Sequence, residues 1–188
     1  MPKLAEIVRT LMCCWILVIY SAKTGAKRNY AILLDRVNYT IHQQGFIGVE
    51  RFICGRNRIG LSTFTLQLKM QQNITNLQIR DNFYILLENN KTTNVITEIT
   101  NACDMLSGNY DSTIIKQNII ELQQATKPVL LCPLIENTLY SINNFTLRPS
   151  LKPSYLPVMD YMEKLELSTN GVHYLDLIFE GRIKRFYK

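Results

Sequence analysis

The clearest signal in the sequence is an alternation of apolar and polar positions with a period of two. In Arg58–Gln71, alternate apolar side chains fall on one side of an extended chain and polar side chains on the other. In Leu77–Leu87 the pattern recurs, with Asp81 interrupting the apolar side. Such alternation is typical of antiparallel strands with one buried face. The residues predicted to face the interior are Phe64, Leu66, Leu68, Met70, Phe83, Ile85 and Leu87.

Five further segments have strand character, and the last two flank Asn170-Gly171, a dipeptide that favours a two-residue hairpin turn. These segments are Phe46–Cys54, Asn94–Cys103, Leu139–Leu147, Met159–Ser168 and Val172–Phe186. One stretch departs from the period, because apolar residues recur at helical spacing from Asp111 to Thr126, before Lys127-Pro128. This predicts one amphipathic helix at about 111–126, packed on a sheet. The pattern favours a mainly β fold, an immunoglobulin-like two-sheet antiparallel β-sandwich.

The N-terminus has the pattern of a targeting signal. Lys3 and Arg9 accompany an unbroken apolar run, Leu11–Tyr20. As a helix this run would rise only about 15 Å, half of the roughly 30 Å hydrocarbon core of a bilayer. We therefore expect a cleavable signal peptide at 1–26, cut after Ala26, and a single domain at 27–188. A short uncleaved anchor or a buried N-terminal strand is the alternative.

Four acceptor sequences for N-glycosylation agree with export. They begin at Asn38, Asn73, Asn90 and Asn144. Together with the signal peptide they predict a secreted, extracellular glycoprotein. No later stretch resembles a transmembrane span, so an integral membrane protein is not expected.

The net charge and the lack of known catalytic motifs argue against several classes of function. The formal net charge of +6 is modest and its basic residues are scattered, so a nucleic-acid partner is not expected. The chain has no nucleophile elbow, zinc-protease motif, P-loop or dinucleotide fingerprint. Glu163 and Glu166 lie three apart on a predicted strand and so face opposite sides. His42 and His173 are the only histidines, and His173 is predicted to lie at the surface. We expect no catalytic residue, no metal and no cofactor.

The cysteines predict one disulfide. The mature chain would retain Cys54, Cys103 and Cys132, which in an oxidising compartment gives one bridge and one remaining thiol. Spacing alone does not fix which two residues pair.

Several short motifs occur in an order that resembles a known family. They are Asn101–Leu106 (NACDML), Leu131–Leu134 (LCPL), Tyr155–Pro157 (YLP) and Leu177–Glu180 (LIFE). In this order and spacing the chain, from about Asn38 to its C-terminus, resembles a large family of secreted insect proteins that includes the CheB chemosensory proteins.

The resemblance implies an ML-like (lipid-recognition) fold, in which two antiparallel sheets pack loosely enough to admit an apolar molecule. It also implies that Cys103 pairs with Cys132. Members usually carry a further cysteine about thirteen residues before the position of Cys54, where this chain has Ile41, so Cys54 lacks that partner.

Two functions remain open at this stage. The first is a secreted carrier of a hydrophobic small molecule, lipid or pheromone-like, with a role in chemosensation. The seven inward-facing residues would then line its cavity. The second is a secreted glycoprotein with a filled core that binds another extracellular protein, since apolar strand faces usually make an ordinary core.

Overall fold

The computed structural model describes residues 30–87, 91–108, 113–146 and 157–185. These residues form nine strands and two helices. The strands are β1 (Tyr30–Ile41), β2 (Ile47–Arg56), β3 (Ser62–Met70), β4 (Gln78–Leu86), β5 (Thr92–Asn101), β6 (Thr126–Lys127), β7 (Leu139–Thr146), β8 (Met159–Thr169) and β9 (Val172–Arg185). The helices are α1 (Ala102–Leu106) and α2 (Thr113–Ala125).

The strands form two antiparallel sheets, which confirms the predicted β-sandwich. Sheet A has the order β1-β9-β8-β4-β5, and sheet B has the order β2-β3-β7-β6. The β8–β9 hairpin turns at Asn170-Gly171, with φ of 50° and 77° at the two residues. These positive values are those of the turn that the dipeptide favours, so this prediction is also confirmed.

Two elements differ from the sequence prediction. Strand β1 has no counterpart among the predicted strands, because Ala31–Leu34 is an unbroken apolar run and a register shift after Leu34 breaks the alternation. The strand predicted to reach Cys103 ends at Asn101. There the Asn101 side-chain oxygen accepts a hydrogen bond from the Cys103 N–H at 2.9 Å, which caps the short helix α1.

The predicted helix is present as α2, and its last turn ends one residue before the predicted boundary because Thr126 already pairs in β6. The first two residues of the prediction, 111–112, lie outside the described ranges. So does the predicted signal peptide at 1–26.

Among the described residues, a buried hydrogen bond and a disulfide are two of the contacts that link the sheets. Along one edge, the backbone N–H of Leu34 in β1 donates to Oγ of the fully buried Ser62 in β3, at 2.8 Å. At the other edge, a disulfide joins Cys103 in α1 to Cys132, in the connection between β6 and β7, with Cα atoms 5.4 Å apart. These are the cysteines that the family resemblance pairs, and Cys54 carries no disulfide.

Gly181 in β9 marks a close approach of two strands. A Cβ at this position would collide with the backbone carbonyl oxygen of Leu33 and would lie 2.9 Å from Oη of Tyr161. We expect Gly181→Ala to lower the free energy of unfolding by about 1–3 kcal/mol, the usual cost of overpacking. Urea denaturation measures this.

Gly48 in β2 supplies the control. An added Cβ there meets its nearest atom, Nε2 of Gln71, at 3.6 Å, which is an ordinary contact. Gly48→Ala is expected to be neutral or to stabilise by up to about 1 kcal/mol, since alanine loses less conformational entropy in a strand. Equal urea midpoints for the two variants would contradict the steric argument.

Candidate ligand-binding face

The inner face of sheet A carries two separate apolar clusters. The first, here called the interior cluster, contains buried residues of both sheets and makes the ordinary core of the sandwich. Phe179 of β9 packs edge-on against both Phe52 of β2 and Phe64 of β3, with ring centroids 5.2 and 5.5 Å apart. Leu175 at its centre is fully buried. Packing between the two sheets fills this part of the fold.

The second cluster, here called the end cluster, differs because sheet A alone supplies its members. Its buried residues come from all five strands of that sheet: Ile32, Phe83, Ile96, Tyr161 and Ile183. Ile85, Val95 and Met159 pack against them. No described residue of sheet B belongs to it. The end cluster is therefore an apolar part of the inner face that sheet A alone supplies, and its five core members are only 1–5% exposed.

A row of carboxyl groups separates the two clusters. On β4, Asp81 lies between Ile79 of the interior cluster and Phe83 of the end cluster. Glu98 of β5 is paired directly opposite Asp81, and Glu163 of β8 is paired opposite Phe83. Because strand residues two apart share a face, all three carboxyl groups belong to the inner face. The inner face thus changes from apolar to acidic and back to apolar within a few residues.

The environment of this row raises the pKa of its carboxyl groups. Burial, together with the negative charge of Glu98, raises the pKa of Asp81 to about 7. Burial also raises the pKa of Glu98. Asp81 is only 8% exposed, and its Oδ1 atom has no hydrogen-bond partner among the described residues. A buried polar atom without a partner is uncommon in folded proteins and calls for an explanation.

Tyr161 connects the carboxyl row with the end cluster. Its ring stacks on Phe83, with centroids 5.5 Å apart. Burial, and then the negative charges of Glu163 and Asp35, raise the pKa of its hydroxyl above the ordinary value. The hydroxyl therefore keeps its proton at physiological pH and can donate a hydrogen bond.

The seven residues predicted to face inward are divided among three environments. Phe64, Leu66, Leu68 and Met70 belong to or pack against the interior cluster. Phe83 and Ile85 belong to the end cluster. Leu87 lies after the end of β4, is 49% exposed and is a member of neither cluster, because the alternation outlasts the strand by one residue. The structure therefore places six of the seven in two separate apolar clusters, and their role in lining a ligand cavity stays a prediction.

The asparagines of the predicted N-glycosylation sites are exposed wherever the structure describes them. Asn38, Asn73 and Asn144 are exposed, and Asn90 lies outside the described residues. Glycosylation at these positions stays a prediction. Among the residues that the structure describes, no helix is long and apolar enough to cross a membrane.

A groove lies between the two helices. It has a volume of about 240 Å³ and is lined by Met105, Leu106, Ile119, Ile120 and Gln123, with Ser107 and Gly108. Small-molecule sites usually measure about 300–1,000 Å³ and enclose most of the ligand. The groove is smaller and open to solvent, which is unfavourable for a small-molecule site.

The fold and this face define a two-sheet antiparallel β-sandwich with an amphipathic inner surface. No family model matches the chain, and no curated protein matches it. Among solved structures, the chain is similar to chicken MD-1 complexed with lipid IVa, with 14% sequence identity and a TM-score of 0.35 over 82% of this chain and 99% of that chain. A likeness this distant carries no argument about what the present chain binds.

Proposed function

We propose that the protein is an extracellular binding or carrier protein for a hydrophobic small molecule. The observation that carries this proposal is the end cluster, a second apolar cluster that sheet A alone supplies. An apolar ligand would pack against these side chains, which are only 1–5% exposed, once they move apart to admit it. The disulfide supports the extracellular setting, because such bridges persist in oxidising compartments. The resemblance to CheB proteins supports chemosensation as the biological role.

The carboxyl row supports a choice of polar group for the proposed ligand. A hydroxyl or a protonated amine can donate a hydrogen bond to Oδ1 of Asp81, which has no partner among the described residues. A carboxylate or a phosphate would instead be repelled by the negative charges of the row. The proposed ligand is therefore a long-chain alcohol or amine, with its chain on the end cluster and its polar group at Asp81.

Thermal unfolding of delipidated protein tests this proposal. We expect dodecanol or dodecylamine to raise the melting temperature, because a ligand that binds only the folded state stabilises it by about 2.7 kcal/mol at a hundred times its dissociation constant. Dodecanoate at the same concentration should have a smaller effect above pH 7. Protein recovered from insect-cell medium with a new N-terminus near Lys27 would serve for the measurement and would also test export.

Two tryptophan variants test whether the ligand binds at the end cluster. Ile85 and Leu68 are both partly buried, the first at the end cluster and the second at the interior cluster. Ile85→Trp should fold and should abolish the response to dodecanol, because its ring occupies the proposed ligand position. Leu68→Trp should be destabilised by overpacking but should keep the response. If no ligand shifts the melting temperature of the parent protein, the carrier function is refuted.

A second function is favoured by one observation. Val129, Leu131, Ile135 and Leu139, in the connection between β6 and β7 and at the start of β7, are 42–55% exposed. Exposed apolar residues concentrated in one segment are typical of protein-interaction surfaces. A secreted protein-binding glycoprotein without an internal ligand is thus the alternative, and it predicts that no alcohol, amine or fatty acid changes the melting temperature.

A further inference from the structure

Two histidines and an aspartate converge on the outer face of sheet A, opposite to the ligand-binding face. Nε2 of His42 lies 2.8 Å from Oδ2 of Asp176, and Nε2 of His173 lies 2.7 Å from Oδ1 of the same carboxylate. The two imidazole rings have centroids 4.2 Å apart and are tilted by 35°. Because Asp176 lies between the inward-facing Leu175 and Leu177 on β9, its side chain belongs to the outer face.

The backbone holds these residues in place. The N–H of His42, just after β1, donates to the carbonyl oxygen of Tyr174 at 2.8 Å, which fixes the end of β1 against β9. The ring of Tyr174 stacks on Phe46 in the following loop, with centroids 3.9 Å apart. His173 and Asp176 both belong to β9 itself. The positions of the three side chains are therefore set by sheet pairing and core packing.

The ligand atoms are spaced as a metal site requires. The three donor atoms lie within 4.8 Å of one another. Two ligands at 2.0–2.1 Å from a tetrahedral zinc ion are about 3.3 Å apart, so each nitrogen would need to retreat from its oxygen by roughly half an ångström. The imidazoles are 38–40% exposed while the carboxylate is 5% exposed, which leaves an approach for an ion from the solvent side.

The carboxylate is kept in its charged form. Burial alone would raise the pKa of Asp176, but hydrogen bonds from His42, Lys164 and His173 outweigh this effect and hold the pKa below its ordinary value. Metal binding requires a deprotonated carboxylate and neutral imidazoles.

Lys164 is the competitor for this site. Its Nζ atom lies 3.0 Å from Oδ2 of Asp176 and 3.0 Å from Oε1 of Glu166. An ion that takes the Asp176 oxygen would displace the ammonium group, which would keep its second partner, Glu166. Metal binding would therefore break the ion pair between Lys164 and Asp176 and would leave the ion pair between Lys164 and Glu166 intact.

The geometry points to a zinc-class divalent metal site formed by His42, His173 and Asp176, with water completing the coordination. Two imidazole nitrogens and one carboxylate oxygen suit zinc, whereas calcium prefers six to eight oxygen ligands. The site lies on the outer face of sheet A, so it does not depend on the proposed hydrophobic ligand.

Calorimetric titration with zinc chloride tests the inference, with EDTA-treated protein that carries no polyhistidine tag, at pH 7.5. We expect one zinc ion to bind per chain and calcium chloride to give no binding. His42→Ala and His173→Ala should each weaken zinc binding by at least about 10–100-fold, the loss that follows removal of even an outer-shell partner. Thermal unfolding without zinc would verify that both variants fold.

Two further variants provide a predicted gain in zinc affinity and a control. Lys164→Met should tighten zinc binding, because it removes the competing ammonium group. Asp160→Ala, at an exposed carboxylate on the neighbouring strand β8, should leave binding unchanged. The site is refuted if the parent protein binds no zinc, if both histidine variants bind it as the parent does, or if Lys164→Met binds it more weakly.

Discussion

Replacing both Cys103 and Cys132 by serine is expected to lower the free energy of unfolding by about 2–5 kcal/mol. The bridge spans 29 residues of sequence, and closing a loop of that length contributes about 3–4 kcal/mol through the entropy of the unfolded chain. It also anchors α1, a helix of five residues, to the connection that leads into sheet B. Net stabilities near 5–15 kcal/mol make this a large fraction of the total. Chemical denaturation of the double variant measures the loss.

Cys54→Ser is the matched control for this experiment. Cys54 carries no disulfide and is only partly buried against the interior cluster. The same chemical change should therefore shift the denaturation midpoint much less than the double replacement does. Similar losses in the two proteins would show that the bridge is not the source of the stability.

The second large effect concerns the dependence of stability on pH. Because the pKa of Asp81 is raised to about 7 from 3.8, the folded protein binds more protons at this group than the unfolded chain does between these values. The free energy of unfolding should therefore be highest near pH 4 for this group and should fall as the pH rises towards 7. A shift of about three pH units corresponds to a loss of roughly 4 kcal/mol at most.

Asp81→Asn is expected to remove most of this dependence. The variant should gain stability over the parent at pH 8, by up to about 4 kcal/mol, and the two should converge near pH 4. A smaller slope should remain because burial also raises the pKa of Glu98. Asp160→Asn, at the exposed carboxylate on β8, is the control and should follow the parent. Thermal unfolding from pH 4 to pH 8 measures all three, and a parent protein whose stability rises with pH over this range would contradict the argument.

The sequence predicted the strands that alternate and the turn that joins the last two. The alternation in β3 and β4 and the Asn170-Gly171 dipeptide report local geometry, and both could be interpreted without knowledge of strand order. Strand β1 was missed because its first residues are apolar on both faces. Helix α1 was missed because its cap, Asn101, reads equally well as the last residue of a strand.

The candidate sites could be identified only from the three-dimensional structure. Asp81 was visible as an interruption of the apolar side of β4, but its pairing with Glu98 and its proximity to Glu163 follow from sheet order, which periodicity does not give. Likewise, His42 and His173 are far apart in sequence and do not match the short spacing of a metal-binding motif. They meet only because β1 pairs with β9. The division of the inner face into two clusters likewise depends on packing that periodicity does not give.

The two links between the sheets have a kinetic consequence. The hydrogen bond from Leu34 to Ser62 closes one edge, and the bridge from Cys103 closes the far end of β5. The beginning of β5, at Thr92, is remote from both links. These links would restrain a separation of the sheets least at that corner, where the packing of the interior cluster would still oppose it. If a guest enters and leaves by local opening there, its residence time would depend on the free energy of that opening rather than on that of global unfolding.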